Sequence, residues 1–209
     1  MAKARDKNSI QIECEIKKSY TVNFIDDLFA EDNAAFSDIL RSLAQSETPN
    51  VLLVADQNVV QKTQSLGTRI GKYFQKYGVK MASAPVVLSG GEKNKSDNFQ
   101  SVMTLVASMV DSKIGANDIV IALGGGATLD IAGYVASQAR GGVKLVRVPT
   151  TPAAMVDAAY AEMAAIDYQS VKDALRVPCI PDSVVIDVAF ASTVLDGVWC
   201  GGLGEIVRY

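Results

Sequence analysis

The stretch Ile119-Val120-Ile121-Ala122-Leu123-Gly124-Gly125-Gly126-Ala127-Thr128-Leu129-Asp130 constrains this chain more than any other. A short apolar run rich in β-branched residues reads as a strand buried on both faces of a parallel sheet. Three glycines follow, and from Ala127 to Gln138 the spacing of Leu129, Ile131, Ala132 and Val135 predicts a helix with one apolar side. Strand, glycine turn and helix bring bare backbone N–H groups close to a phosphate at the positive end of a helix dipole. Leu129 stands where the third glycine of G-x-G-x-x-G would be, so the turn alone also suits a tight connection that holds no ligand. Asp130 and the later Pro149-Thr150-Thr151 favour the binding reading.

The rest of the chain repeats the alternation. Ile10 to Ile16 and Tyr20 to Phe24 alternate apolar and polar residues and predict two edge strands joined as a hairpin. Asp32-Asn33 suits the N-cap of a helix running to about Leu43. Val51 to Asp56 predicts a second buried strand, Val59 to Tyr77 a helix weakened by Gly67 and Gly71, and Lys80 to Leu88 a third strand. Ser96 to Asp111 carries a clear amphipathic stripe and ends near Gly115, and Val143 to Val148 is a further strand. Beyond Pro152 an alanine-rich helix is expected over Ala153 to Ala165, then a short strand at Val184 to Asp187 and helical turns from Leu203. Strands alternating with helices imply right-handed crossovers and an α/β, Rossmann-like parallel sheet flanked by helices. Ligands of such sheets bind at the carboxyl ends of the strands. Asp56, Gly90 to Lys95, Gly124 to Asp130 and Thr150-Thr151 all fall at those ends.

Composition narrows the chemistry. Of 209 residues 49% are hydrophobic and 21% charged, enough for a real core, and the net charge of −3 without a basic run argues against nucleic acid as the partner. No apolar stretch approaches the ~20 residues of a membrane span. Cys14, Cys179 and Cys200 are too few and too widely spaced for a disulfide framework, and the first seven residues are rich in charge (Lys3, Arg5, Asp6, Lys7) with no apolar run, so a reducing, cytoplasmic setting is expected. There is no histidine, which excludes a histidine-based triad or a histidine-rich zinc site within this sequence.

With these pieces in place the sequence resembles the sugar phosphate cyclases, the family of 3-dehydroquinate synthase. Gly91-Glu92-Lys93-Asn94-Lys95 resembles the family's G-E-x-x-K, and Gly124 to Gly133 its G-G-G-x-x-x-D-x-x-G. Arg140-Gly141, Val148-Pro149-Thr150-Thr151, Val156-Asp157, Pro181, Asp187 and Gly202-Leu203-Gly204-Glu205 follow in family order. The resemblance implies an NAD-binding α/β domain over residues 1–182 and, from 183–209, the start of a helical metal- and substrate-binding domain largely missing from this sequence. It implies NAD contacts from Asp56, Glu92, Lys95, Gly125, Gly126, Ala127, Thr128, Leu129, Asp130, Thr150, Thr151, Phe190 and Thr193. Arg140, Asp157 and Lys172 would serve catalysis, and Glu205 would be one ligand of a divalent metal, zinc or cobalt, whose other ligands are expected beyond this chain. A small phosphorylated sugar is the implied substrate and a homodimer the implied assembly.

Simpler roles stand beside these. Asp56 also suits a helix N-cap, Glu92 and Lys95 a solvated ion pair, and Glu205 an ordinary glutamate in the first turn of a helix. The sequence also departs from the dehydroquinate synthase pattern. Where those enzymes carry G-G-K-x-x-x-N, this chain has Ala161 to Asp167, with Met163 in place of the lysine and Asp167 in place of the asparagine. Asp173 likewise replaces an asparagine next to Lys172, with Arg176 as a nearby cation. Losing a cation and gaining two carboxylates disfavours the family's usual anionic substrate. Three functions fit: a cyclase with altered substrate choice, a metal-dependent dehydrogenase of the glycerol dehydrogenase type, and a non-catalytic NAD-binding homologue.

Overall fold

A computed structural model describes residues 9, 12–15, 17–92, 95–139, 142–194 and 196–208, without the side chains of 196 and 208. Among the described residues seven strands form one sheet: β1 (Thr21–Phe24), β2 (Asn50–Asp56), β3 (Lys80–Met81), β4 (Val86–Leu88), β5 (Ile119–Gly124), β6 (Lys144–Pro149) and β9 (Ser183–Ile186). Their order is β1-β9-β6-β5-β2-β3, with β4 beside β3 on the same edge of β2. Every pairing is parallel. Strand β9 follows residue 182, yet it lies inside this sheet between β1 and β6.

Alternation along β5 builds a core on each face of the sheet. Ile119, Ile121 and Leu123 point to one side, where α1 (Ala35–Ala44) and α3 (Leu66–Tyr77) deliver Phe36, Leu40, Tyr73 and Phe74. Val120 and Ala122 point to the other, against Leu105 of α4 (Gln100–Asp111) and Leu129, Ile131 and Val135 of α5 (Gly126–Gln138). Burying each such aliphatic side chain contributes roughly 1.5–3 kcal/mol, so the strand is anchored from both faces and its carboxyl end is held in place.

Several local expectations are corrected, among them the single strand expected from Lys80 to Leu88, which is two, β3 and β4. Among the described residues the predicted N-terminal hairpin is not present: residues 12–15 are not in a strand, and β1 pairs in parallel with β9, Thr21 opposite Ser183. Residues 10, 11 and 16 lie outside the described residues. The single helix expected from Val59 to Tyr77 is two, α2 (Gln57–Lys62) and α3, because Thr63 is extended and Ser65 left-handed at φ 56°. Helix α4 begins only at Gln100, since Phe99 is left-handed at φ 73°.

The largest difference is the alanine-rich stretch. Ala154–Ala158 is a short π-helical turn, and Met163–Tyr168 is a strand, β7, pairing antiparallel with β8 (Val171–Pro178). Alanine favours helix only weakly, and tertiary packing overrides it. Here small side chains let the hairpin lie close against α5. Ala164 is fully buried, and a Cβ on Gly133 of α5 would come within 2.8 Å of Cys179 Sγ and 3.4 Å of Ala164 Cβ. Buried Arg147 of β6 fixes both ends of this excursion. Its guanidinium donates to the carbonyls of Ala159 and Ala161 at 3.3 and 2.7 Å and of Cys179 at 3.1 Å. Helix α6 (Asp196–Arg208) packs on the π-helical turn, with Gly202 so close to Pro152 and Ala153 that no Cβ fits.

Candidate functional site

From β2 the chain moves outward to β3 and β4, then crosses back over β2 to β5 and on to β6. A reversal of this kind leaves a crevice at the carboxyl ends of the two central strands. A cavity of about 500 Å³ opens there. Asp56 at the end of β2, Gly125-Gly126-Ala127 after β5 and Thr150-Thr151 after β6 form its base. Glu92, Asp157 in the π-helical turn, Lys172 of β8, Thr193, and Glu205 of α6 line its walls together with Asp130.

The glycine turn has local reasons for its composition. A Cβ on Gly124 would come within 2.7 Å of Thr128, and one on Gly125 within 3.2 Å of Thr151 Cγ2. Gly125 is the N-cap of α5 and offers no side-chain cap, so the first amides of a 13-residue helix reach the cavity without a side-chain acceptor at that cap. Beside them, Thr150 is fully buried and its hydroxyl has no hydrogen-bond partner among the described residues, while its backbone N–H donates to the Gly124 carbonyl at 3.0 Å. A buried hydroxyl without a partner carries a cost of about 1–3 kcal/mol, which a polar ligand in the cavity would remove.

Other expected residues have structural duties as well. Asp56 caps α2, accepting from Asn58 N at 2.7 Å, and its second oxygen accepts from Thr128 Oγ1 at 3.4 Å. Asp56 is thus the N-cap of α2, and it also lines the cavity. Thr151 Oγ1 accepts from Ala154 N at 3.3 Å and starts the π-helical turn. Thr128 and Leu129 are buried in the packing of α5, and Phe190 lies in the core on the sheet face shared with α1 and α3. None of these three, nor Lys95, lines the cavity. Arg140 lies outside the described residues. The sequence reading missed Asn58 and Lys62, which face the cavity from α2. Their i,i+4 spacing directly after the strand-ending Asp56 is the signal that could have found them.

Lys95 forms an ion-pair cluster behind the cavity wall. Only 5% exposed, it meets Asp130 Oδ2 at 2.8 Å and Asp173 Oδ1 at 3.2 Å. Burial works against its charge, but the two carboxylates prevail and hold the ammonium above its ordinary range. Asp167 joins the same cluster, accepting from Asp173 N at 2.8 Å and Ser96 Oγ at 2.9 Å. The backbone N–H of Asp173 is the largest influence and outweighs burial, so that, with help from the Ser96 hydroxyl, the Asp167 carboxyl is held below the usual carboxylate range.

Two groups can be tested against this geometry. A dinucleotide fits: uncapped amides suit a pyrophosphate, carboxylates at the strand ends suit ribose hydroxyls, and the Thr150 hydroxyl awaits a polar partner. A metal does not fit on these residues alone. Among the described residues no three histidine, cysteine, aspartate or glutamate side chains come together, and a zinc site needs three protein ligands. No helix among the described residues is long and apolar enough to cross a membrane.

Known proteins with this architecture are numerous. A 3-dehydroquinate synthase of Rhizobium leguminosarum bv. trifolii is 36% identical over 129 residues, 62% of this chain and 34% of that protein. Demethyl-4-deoxygadusol synthase of Trichormus variabilis is 25% identical over 202 residues, 97% of this chain and 46% of that protein. The structure of 2-epi-5-epi-valiolone synthase from Streptomyces hygroscopicus subsp. jinggangensis 5008, with NAD+ and Zn2+ bound, superposes at a TM-score of 0.83 and 25% identity, covering 95% of this chain and 51% of that one. The chain thus spans about a third to a half of the length of these relatives. The family model for the N-terminal domain of 3-dehydroquinate synthase matches residues 85–198, more than half of the 209 residues, and the chain therefore belongs to the 3-dehydroquinate synthase family.

Proposed function

We propose that the cavity holds NAD and that this chain is the cofactor-holding part of a sugar phosphate cyclase acting on a phosphorylated ketose. The observation that carries the reading is the unpartnered, fully buried Thr150 hydroxyl beside the uncapped first turn of α5, inside a cavity of about 500 Å³. The pyrophosphate would lie over the amides of Gly126 and Ala127. Asp56 and Glu92 would accept from ribose hydroxyls, Thr150 and Thr151 would bond near the nicotinamide, and Asp130 would orient what lies between. When bound, NAD supplies reversible hydride transfer, and the protein supplies position and electrostatics. Asp157 and Lys172 would face the substrate, and Glu205 would give one ligand to a divalent metal whose other ligands lie outside the described residues. That reading is supported by the NAD+ and Zn2+ in the valiolone synthase named above.

The substrate reading follows from charge. Lys95 is already shared by Asp130 and Asp173, and Asp167 adds one further carboxylate on the hairpin side. Asp167 and Asp173 stand behind the cavity wall and do not line it, so they disfavour a substrate carboxylate on that side by engaging Lys95 and by longer-range repulsion. A phosphorylated ketose that presents hydroxyls there is favoured. The test supplies a heptulose phosphate to the holoenzyme and follows inorganic phosphate and NADH together. Phosphate release without accumulating NADH supports a cyclase; sustained NADH production would instead support the dehydrogenase reading.

A further inference from the structure

The hairpin β7–β8 is not regular. Its pairing runs Ile166 opposite Leu175 and then Tyr168 opposite Val171, so two steps along β7 match four along β8. Lys172, Asp173 and Ala174 therefore bulge out opposite Asp167 alone. A bulge re-aims a side chain and is found beside functional sites. Here the re-aimed residue is Lys172, which lines the cavity wall, while the neighbouring strand residues Val171 and Leu175 are exposed apolar side chains.

The bulge needs support because Asp173 is left-handed at φ 50°, a conformation few residues other than glycine, asparagine and aspartate adopt readily. That support is specific. Asp167 on the opposite strand accepts from the Asp173 backbone N–H at 2.8 Å and, through its other oxygen, from Ser96 Oγ at 2.9 Å. The Asp173 carboxylate accepts from Lys95 at 3.2 Å, and Lys95 is tied at 2.8 Å to Asp130 on α5. Three separate segments, the loop after β4, helix α5 and the hairpin, thus close on one turn of backbone.

We propose that Asp167 and Asp173 are positioning residues, which hold the bulge of β8 against Lys95 so that Lys172 is aimed into the cavity. The two carboxylates that distinguish this chain from the dehydroquinate synthase pattern therefore have a role of their own: they lock a lysine in place without touching the ligand. The bulge and its ties are independent of what fills the cavity; that Lys172 meets bound NAD or its substrate rests on the function proposed above.

The experiment reads Lys172 directly, as its labelling rate with trinitrobenzene sulfonate, a bulky amine reagent, with Lys72 on exposed α3 surface as the internal reference. Lys172 is exposed, as Lys72 is, but it lies along the cavity wall, where a bulky reagent approaches less freely than on the outer surface of α3. Asp173→Val, which cannot adopt the left-handed backbone, should raise the Lys172 rate at least threefold and leave Lys72 unchanged. Asp173→Asn keeps both shape and acceptor and should stay within twofold of the parent. Should Asp173→Val fail to fold, Lys95→Gln removes the tie without touching β8 and should raise the Lys172 rate at least twofold. Unchanged Lys172 labelling in whichever of Asp173→Val and Lys95→Gln folds would overturn the proposal. Because Lys172 faces the substrate side, the cofactor assignment is read separately: if NAD+ does not bind saturably in calorimetric titration while the Asp173 effect stands, the cofactor assignment fails and the positioning role survives.

Discussion

At the scale of single residues, Thr150 gives the sharpest separation between folding and binding. Its hydroxyl is buried and has no hydrogen-bond partner among the described residues, so Thr150→Val removes an unsatisfied polar group while keeping the shape. Thermal stability should hold or rise, while NAD+ affinity should fall by about 1 kcal/mol, roughly fivefold, in calorimetric titration. A fall in both would mean that the hydroxyl has a structural partner. Asp130 behaves differently, because it both lines the cavity and pairs with buried Lys95. Asp130→Ala should weaken NAD+ by at least about 1 kcal/mol and also lower the melting temperature, since one of the two charges neutralising Lys95 disappears. Retained affinity at lowered stability would move the ligand away from α5.

At the scale of elements, the central strands and the glycine turn could be read directly, because β-branched runs and glycines leave few alternatives. Ile119–Gly124 and Asn50–Asp56 form the strands their residues predict, within a residue of their expected ends. The hairpin β7–β8 could not be read, because what decides it is the flat contact with α5 at Gly133 and the Arg147 clamp, both distant in sequence. Its turn carries Gln169 and Ser170 at φ 46° and 67°, the left-handed pair that a two-residue hairpin turn requires, on residues that offer no such signal. Ser170→Gly should accordingly stabilise the protein by about 0.4–1 kcal/mol in denaturant unfolding. The hairpin is also acid-sensitive. Asp167 is held below its unfolded value of about 3.9, so its stabilisation is complete above that pH and is lost as pH falls through the depressed native value. Hydrogen exchange across the turn should therefore accelerate below about pH 4 in the parent, and Asp167→Asn should flatten that dependence; an unchanged pH profile in the variant would exclude Asp167 as the titrating group.

At the scale of the whole molecule, topology brings the parts together. Because β2 and β5 are neighbours whose connections depart in opposite directions, the ends of the sequence-distant segments after residues 56, 124 and 149 meet in one crevice. The strand ends could be anticipated from their order along the chain. The walls could not, since Lys172, Thr193 and Glu205 reach the cavity only through the hairpin, the turn after β9 and α6 packing on the π-helical turn. Dinucleotide binding in this cavity is measured by calorimetric titration of NAD+ into the protein, beside Thr150→Val. One saturable site per chain is expected, weakening about fivefold in the variant. Absence of saturable binding at millimolar NAD+, or equal binding by parent and variant, would contradict it.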